Sequence, residues 1–459
     1  MNGFTDQELE EFAEKRKRSA ERLNQAIEDA RRIGEILNEV HGTEFSDEFW
    51  QFLVLPHVRK LQVKEYQATL SRELDTTGKS DSLGTKPNGL RQKLGAARSQ
   101  TASAVRRVQQ RKSFANLRQA LKVSDVLVFG FHDAAEIRNK GQLVSAAIPA
   151  MFPRSERNKR AQLKLYAEGV GNERLCQAIQ TLPPLLVEQF QDLLARIPLH
   201  RPEHKQFHVS IGVEGFMSLL LALYRERGAE VHRYQHGSHY GEQENFGALE
   251  RLTSTSFHTW GWKISNRDVP DKAYRLAGFK RRYQSKGETS ESDILVCYPA
   301  LHRNILAQVR QDSNELLDQI DRSSYGRIIA RPRPMTRYAD HSADIAFVQQ
   351  HGIHVENGRA DIAHLTASTR LVVHLRVPST TFLECLYVDH PVMGVFFNHC
   401  PTELAMPHYL ALFELGLMHR NGRSVARYLN QIESIGSWWR TVTSDFRYQS
   451  FKDTFARAA

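Results

Sequence analysis

The sequence predicts an α/β protein with two Rossmann-like domains that follow a helical N-terminal segment. From about residue 290 onward, short β-branched apolar runs alternate with helical patterns, which is typical of a parallel sheet covered by helices. The same alternation occurs once upstream, over residues 207–234. In front of it, apolar residues recur at helical spacing from residue 9 onward.

The helical segment is predicted to cover residues 1–78. Thr5 and Glu8 have the spacing of a capping box, a reciprocal pair of side-chain-to-backbone hydrogen bonds that starts a helix. One apolar face follows, formed by Leu9, Phe12, Ala20, Leu23, Ile27, Ala30 and Leu37. We expect this face to pack on the fold.

Residues 79–122 form a basic segment in which Asp81 is the only acid. Its first part predicts a loop, and the part from about Arg91 predicts a basic helix. Such a segment could bind nucleic acid, rest on an anionic membrane surface or solvate a linker. Aromatic residues do not interleave with the cations as base stacking requires, so we favour the membrane surface or the linker over nucleic acid.

Residues 123–285 are predicted to form the N-terminal Rossmann-like domain. Its clearest part is a strand at 207–213, a helix at 215–227 and a strand at 231–234, followed by the turn Gln-His-Gly-Ser-His-Tyr-Gly. Residues 286–435 are predicted to form the C-terminal domain, which a helix over 436–459 closes. Its predicted strands are 293–297, 327–330, 353–355, 370–375 and 391–397, and its predicted helices are 304–320, 343–350, 360–367 and one that starts near 382.

Two turns follow apolar strands and are therefore predicted at the carboxyl ends of sheet strands, where open α/β sheets bind ligands. The first is the turn after residue 234. The second places Ser379, Thr380 and Thr381 at a helix start, whose unpaired N–H groups and dipole favour a phosphate. The alternative is that Ser379 only caps the helix. Two domains that meet at their strand ends would leave a cleft to which each contributes part of a site.

Length and composition agree with this organisation. A chain of 459 residues with 41% hydrophobic residues predicts two to four domains with sizeable cores. No apolar stretch approaches the roughly 20 residues of a membrane span, and the N-terminus is polar, so we expect a protein that stays in the cytoplasm. The four cysteines lack C-x-x-C spacing and are expected to be reduced, and the 20 histidines show no metal-binding spacing, so no metal is predicted.

The chain resembles a bacterial family of surface-carbohydrate-biosynthesis transferases, related more distantly to capsule and lipopolysaccharide enzymes that transfer Kdo or sialic-acid-type sugars. The resemblance is carried by four segments along most of the chain: Leu37-Asn38-Glu39-Val40-His41-Gly42 with Phe49-Trp50, Tyr234-Gln235-His236-Gly237 with Tyr240-Gly241, Thr380-Thr381-Phe382-Leu383-Glu384, and Gly436-Ser437-Trp438-Trp439. It implies the two-Rossmann architecture called GT-B, with the nucleotide sugar bound mainly by the C-terminal domain. The chain departs from the family in having Ser238-His239 where a more glycine-rich turn is usual after His-Gly, in lacking an opening strand before the first long helix, and in carrying the basic segment.

The resemblance also implies roles for individual residues. Arg331 and Arg333 lie in an Arg-Pro-Arg-Pro turn where related enzymes carry a His-Pro or Arg-Pro-His-Pro turn that binds a cytidine nucleotide; the alternative is a pair of ordinary loop cations. Glu214 is the first candidate for the base, against an ordinary acid at a helix start, and His236 is the second. Further ligand-binding candidates are Gly237, His239, Tyr240, Arg303 and Glu384. Trp438 and Trp439 are expected to pack the closing helix.

Together these observations predict a metal-independent GT-B glycosyltransferase of surface-polysaccharide assembly. Its donor would be a nucleotide sugar, CMP-linked, and its acceptor a glycan or a lipid-linked glycan at the inner face of the cytoplasmic membrane. The formal net charge of +10 suits an anionic donor and a membrane-bound acceptor. Two alternatives stay open at this point: a CDP-alditol phosphotransferase of the teichoic-acid type, and a non-catalytic nucleic-acid-binding or scaffold protein.

Overall fold

A computed structural model describes most of the chain. The described residues are 3–75, 115–130, 141–144, 157–169, 171–210, 213, 215–285, 294–299, 303–332, 348–349, 352–356, 360–397 and 399–457. They divide into two compact units. The N-terminal unit comprises Ala20–Tyr234 and Ala248–Phe257, and the C-terminal unit comprises Met1–Ser19, Gln235–Gly247 and His258–Ala459. The turn after Tyr234 therefore belongs to the C-terminal unit, whereas the sequence analysis placed it in the domain at 123–285.

The N-terminal unit combines helices with four parallel strands. Its helices are α1 (Asp6–His41, which begins in the C-terminal unit), α2 (Asp47–Asp75), α3 (Arg157–Gly169), α4 (Glu173–Gln180), α5 (Phe190–Arg196), α6 (Phe216–Glu226) and α7 (Ala248–Leu252). Its strands are β1 (Val126–Phe129), β2 (Gln142–Val144), β3 (Gln206–Val209) and β4 (Glu230–Tyr234). The pairs β1–β2, β1–β3 and β3–β4 are parallel. With β5 (Ser256–Thr259) and β6 (Asp268–Pro270), the sheet has the order β2-β1-β3-β4-β5-β6.

The C-terminal unit contains the second six-stranded sheet. Its strands are β7 (Ile294–Cys297), β8 (Ile328–Arg331), β9 (His354–Val355), β10 (Leu371–Val377), β11 (Val392–Phe396) and β12 (Met418–His419), in the order β12-β11-β10-β7-β8-β9. Every neighbouring pair is parallel. The helices are α8 (Tyr274–Gln284), α9 (Arg303–Gln319), α10 (Ile362–Ala367), α11 (Thr380–Tyr387), α12 (Ala405–Glu414), α13 (Gly422–Leu429), α14 (Ile435–Ser444) and α15 (Phe446–Phe455).

Two six-stranded sheets with helices between their strands confirm the predicted α/β fold class with two Rossmann-like sheets. The N-terminal helices are present as well. The capping box also forms, since Thr5 N donates to Glu8 Oε2 at 2.8 Å and Glu8 N donates to Thr5 Oγ1 at 3.2 Å. The strands β7, β10 and β11 are buried throughout or nearly so, as strands covered on both faces must be.

Some predicted elements differ from the structure or lie outside it. The strand predicted at 207–213 ends at Val209. The closing helix is two helices, because Asp445 takes an extended conformation after α14 and caps α15 through Arg447 N. Residues 76–114, the larger part of the basic segment, lie outside the described residues, as does most of the helix predicted at 343–350; residues 115–123 are helical.

Candidate functional site

The C-terminal unit contains a cavity of about 410 Å³ at the carboxyl ends of β7, β8 and β10. Because the three strands are parallel, their carboxyl ends meet at one edge of the sheet, the edge at which open α/β sheets bind ligands. The wall combines strand ends, a helix start and a turn. Its described residues are Ser238, His239, Arg275, Cys297, Tyr298, Pro299, Arg331, Ile362, His374, Arg376, Pro378, Ser379, Thr380 and Thr381.

The helix start at Ser379 forms one side of the cavity, as predicted. Ser379 has an extended backbone conformation, and its Oγ accepts a hydrogen bond from Phe382 N at 3.1 Å, so it caps α11. Thr380 and Thr381 follow in the first turn and line the cavity. A capped helix start still presents unpaired N–H groups and the positive end of its dipole to a bound anion.

The first turn meets this helix start within the same unit. Ser238 N donates to Thr380 Oγ1 at 3.1 Å, although the two residues are 142 positions apart. A buried amide holds the turn in place: Gln235 Nε2 donates to Gly237 O at 2.9 Å. Its Oε1 accepts from Trp260 N and from Trp262 Nε1. The two turns that the sequence singled out therefore belong to one site.

Cations dominate the charge of the described wall, which contains three arginines and no Asp or Glu. Arg331 ends β8, but its Nε donates to Glu356 Oε2 at 3.1 Å and its Nη2 to Ala360 O at 2.8 Å, so a carboxylate already balances its charge. Arg275 lies 3.9 Å from Glu384 Oε1. Arg376 lies over the ring of Phe397 and has no carboxylate within ion-pairing distance among the described residues, and burial lowers its pKa.

Two histidines in the wall have a ring nitrogen without a hydrogen-bond partner among the described residues. One is Nδ1 of His239 and the other is Nε2 of His374. Burial lowers the pKa of His239 to about 4, with Arg376 adding to the effect, and burial lowers the pKa of His374 to about 3. Both imidazoles are therefore neutral at physiological pH. His239 also has φ +77°, a backbone conformation that favours glycine.

Other predicted site residues lie near the cavity without belonging to its described wall. His236 and Tyr240 contact each other, with Tyr240 OH 3.1 Å from His236 Nδ1. Arg275 Nη1 donates to His236 O at 2.6 Å. Gly237 lies between His236 and Tyr240 in the sequence of the turn. A side-chain carbon added at Gly237 would lie 3.1 Å from Thr380 Oγ1. Glu384 is buried.

Three candidates cannot be placed. Glu214 and Arg333 lie outside the described residues. Arg303 is the first residue of α9, but its side chain is outside the described part of the structure. Their roles stay predictions.

The sequence analysis missed His374 and Arg376, although a signal was present. They occupy alternate positions near the carboxyl end of β10, Leu-Val-Val-His-Leu-Arg-Val, and are its only polar residues. Alternate residues of a strand face the same side of a sheet. A histidine and an arginine on one side of an otherwise apolar strand are costly to bury, so they indicate a site.

Two segments that carry the resemblance have packing roles. In the N-terminal unit, Asn38 Oδ1 accepts from Trp50 Nε1 at 2.9 Å and from Phe45 N at 3.1 Å, while His41 Nε2 lies 2.9 Å from Leu186 O. In the C-terminal unit, Trp438 Nε1 donates to Tyr428 OH and Trp439 Nε1 to Asp389 O. The expectation that the two tryptophans pack the C-terminal helices is thus confirmed.

The four cysteines are free thiols, as expected. Burial raises the pKa of the Cys297 thiol in the cavity wall to about 12, so it is protonated at physiological pH. In the part of the chain that the structure describes, no group of three His, Cys, Asp or Glu side chains has the arrangement of a metal site. No helix there is long and apolar enough to cross a membrane.

A parallel sheet with a cation-lined cavity and a helix start at its carboxyl edge defines a Rossmann-like protein whose cavity suits an anionic ligand. The chain belongs to the family described as LIC12162 family transferase, which matches residues 63–459. It is therefore a transferase. This family confirms the transferase part of the resemblance, while the relationship to Kdo and sialic-acid enzymes stays a prediction.

Comparison with solved structures found distant similarities. One is to the wall teichoic acid polymerase TagF, with 9% identity, a TM-score of 0.41 and coverage of 81% of this chain and 94% of that chain. Another is to S. aureus MnaA in complex with UDP, with 10% identity, a TM-score of 0.38 and coverage of 73% and 92%. A third is to UDP-GlcNAc 2-epimerase from Neisseria meningitidis bound to UDP-GlcNAc, with 10% identity, a TM-score of 0.38 and coverage of 72% and 94%. No curated protein matches the chain significantly.

Proposed function

We propose that this transferase is a glycosyltransferase that uses a nucleotide sugar, and that its donor is a CMP-linked sugar of the Kdo or sialic-acid type. The observation that carries the proposal is the composition of the cavity wall, where the start of α11 and three arginines converge without an acidic side chain among the described residues. An anionic ligand suits such a wall, and the cavity has the volume of a small-molecule site.

Glycosyl transfer requires groups that stabilise the departing nucleotide phosphate, and residues of the cavity wall can do this. When the bond between the anomeric carbon and the phosphate oxygen breaks, negative charge develops on the departing nucleotide phosphate. The N–H groups of α11, the hydroxyls of Thr380 and Thr381, and the guanidinium of Arg376 would stabilise that charge. The proposal therefore invokes no metal ion or other cofactor.

The acceptor hydroxyl must lose its proton to a base. Glu214 and His236 are the two residues that we propose for this step. His236 is held beside the cavity by the Tyr240 hydroxyl on its ring and by Arg275 on its carbonyl. A neutral imidazole in hydrogen-bond reach of an acceptor could take the proton.

The acceptor side of the proposal rests on charge. A glycan or lipid-linked glycan at the inner face of the cytoplasmic membrane is the proposed acceptor, and the basic segment 79–122 would hold the enzyme at the anionic surface. Surface-polysaccharide assembly is the process in which such a reaction takes part.

The test begins with a thermal-shift titration of the protein with CMP, CDP, UMP, UDP and GDP. A nucleotide at about 100 times its dissociation constant should stabilise the folded state by roughly 2.7 kcal/mol. We expect CMP to stabilise the native protein and Thr381→Val to weaken the effect, since Thr381 lines the cavity and valine keeps its shape. The matched control is Thr441→Val, a threonine on α14 outside the described wall.

Product analysis with a CMP-sugar then tests the reaction. Free sugar and CMP, or a glycosylated acceptor and CMP, would support the proposal. Thermal stabilisation by UDP or GDP alone would contradict the proposal that the donor is a CMP-linked sugar. Release of an alditol phosphate from a CDP-alditol would overturn glycosyl transfer in favour of phosphodiester transfer. If no nucleotide stabilises the protein, the proposal of a nucleotide-sugar donor is overturned.

A further inference from the structure

We propose that His374 contacts the ligand directly, with its Nε2–H donating a hydrogen bond to a phosphate oxygen at the start of α11. The inference rests on the proposed function, because it takes the ligand of the cavity to be a nucleotide. No motif or comparison assigns a role to His374.

The burial of His374 is the first argument. Its side chain lies on β10 in the cavity wall and is only 4% exposed, yet Nε2 has no hydrogen-bond partner among the described residues. Buried polar atoms in folded proteins almost always have a partner. Since this nitrogen belongs to a residue of the cavity wall, a ligand bound in the cavity can supply the missing partner.

The tautomer of His374 follows from Ser379. Ser379 Oγ accepts the N–H of Phe382, so its own hydrogen is left to donate. Nδ1 of His374 lies 3.3 Å from this oxygen and can accept it. The proton of the neutral ring is then on Nε2, which makes this nitrogen a donor. Burial keeps the ring neutral, since it lowers the pKa of His374 to about 3.

The surroundings select a phosphate oxygen as the acceptor. Ser379, which orients the His374 ring, is also the N-cap of α11. The Nε2–H donor of His374 and the positive end of the helix are therefore close to each other. Arg376 is two residues further along β10 and also lines the cavity. A helix start, a guanidinium and an N–H donor together fit an oxygen that carries negative charge better than a carbonyl of the base or a sugar hydroxyl.

The test compares CMP with cytidine, which lacks the phosphate, by isothermal titration calorimetry. His374→Phe removes the donor and should weaken CMP by about tenfold, the effect of one hydrogen bond to a charged group, while cytidine binding is unchanged. His374→Gln can return an N–H near Nε2 and should recover part of the CMP affinity. The matched control is His390→Phe, because His390 is equally buried with an unpartnered Nε2 but is not in the described wall.

The outcomes separate the contact from the function. If CMP binds the wild-type protein and His374→Phe binds it equally well, the contact is overturned. An equal loss of CMP and cytidine also overturns it, because the acceptor would then lie on the nucleoside. A wild-type protein that binds no nucleotide overturns the proposed function and this contact with it.

A second measurement does not depend on nucleotide binding. Nitrogen-15 NMR of labelled histidine should show His374 protonated on Nε2, and Ser379→Ala should change the balance of the tautomers. Inorganic pyrophosphate should shift the His374 Nε2–H signal. Ser434→Ala is the control, because Ser434 caps α14 in the same way and is not in the described wall. A wild-type ring protonated on Nδ1, or a signal that pyrophosphate leaves unchanged, would overturn the assignment.

Discussion

Arg376 and Arg331 show how the surroundings of a side chain decide its use. Both are arginines near the carboxyl end of a strand, and both line the cavity. Arg331 donates to Glu356, which offsets its charge, whereas Arg376 has no such carboxylate among the described residues. Burial lowers the pKa of Arg376, yet arginine stays protonated in proteins. Arg376 therefore offers the cavity an unbalanced positive charge.

Replacing Arg376 by alanine should weaken nucleotide binding by roughly 10- to 100-fold, the range expected for a hydrogen bond to a charged group. Isothermal titration calorimetry with the nucleotide that binds the wild-type protein most tightly measures this loss of affinity. Arg370→Ala is the matched control, since Arg370 is exposed and immediately precedes β10 at the opposite end. Equal affinities for the two variants would show that Arg376 does not contact the ligand.

Glu242, which holds the turn beside the cavity, makes the stability of the protein depend on pH. It is 1% exposed, and its carboxylate accepts from His239 N at 3.1 Å and from Tyr409 OH at 3.0 Å. Burial raises its pKa from 4.5 to about 7. Between these values the folded protein keeps a proton that the unfolded chain has released, so the free energy of unfolding falls as pH rises through this interval.

Glu242→Gln should remove this dependence while keeping an acceptor for the His239 N–H. The stability of the variant relative to the wild type should rise between about pH 4.5 and pH 7, by up to about 3 kcal/mol for a pKa difference of this size, and then stay level. Denaturant unfolding across this range measures the difference. The exposed Glu403→Gln is the control, and a stability difference that stays constant with pH would contradict the shift.

At the scale of elements, the pairing of β10 with β11 positions the site. Gly394 of β11 lies opposite His374 in the register. A side-chain carbon added at Gly394 would lie 1.9 Å from Val377 Cγ2 and 3.4 Å from His374 O. The strand end that presents His374 and Arg376 therefore depends on a glycine in the neighbouring strand.

Gly394→Ala should lower the free energy of unfolding by about 1–3 kcal/mol, the usual effect of overpacking a core, and should weaken nucleotide binding by displacing β10. Adding Val377→Ala removes the atom that clashes and should recover part of both losses. Gly169→Ala is the control, because nothing lies within 4 Å of its added carbon. Unfolding curves and nucleotide titrations of these variants test the coupling, and a double variant no better than Gly394→Ala would contradict it.

At the scale of the whole molecule, the basic segment 79–122 is the part of the chain that we propose to contact the membrane surface. Its last residues have a structural role, since Leu117, Ala120 and Leu121 are fully buried or nearly so. Deleting all of 79–122 would therefore damage the core. Removing charges upstream of residue 115 tests the basic segment without removing these buried residues.

The variant Arg106→Gln, Arg107→Gln, Arg111→Gln and Lys112→Gln should weaken binding to anionic vesicles by up to roughly 1,000-fold, because each of the four cations contributes about 1 kcal/mol near such a surface. Donor hydrolysis in solution should be unchanged. Vesicle cosedimentation at two salt concentrations and a donor-turnover assay measure the two effects. Unchanged vesicle binding together with a loss of salt-dependent RNA or DNA binding would favour the nucleic-acid interpretation.

Much of the fold was predictable because it depends on local patterns. The runs around Ile294, Ile328 and Leu371 are apolar enough to require burial on both faces, and the helices between them have their own periodicity. Ser379 was predictable as a cap for the same reason, since capping acts over three residues. The two turns were also identified from their places after strands.

What only the tertiary structure decided is which distant groups meet. The contact of Ser238 with Thr380, the pairing of Arg331 with Glu356 and the isolation of Arg376 depend on strand order and on residues far apart in the chain. Spacing in sequence does not encode them. The sequence alone determined the α/β class and the capped helix start at Ser379, because these follow from short-range patterns of burial and capping. The charge balance of the cavity and the unpartnered nitrogen of His374 emerge only when strands from separate parts of the chain come together.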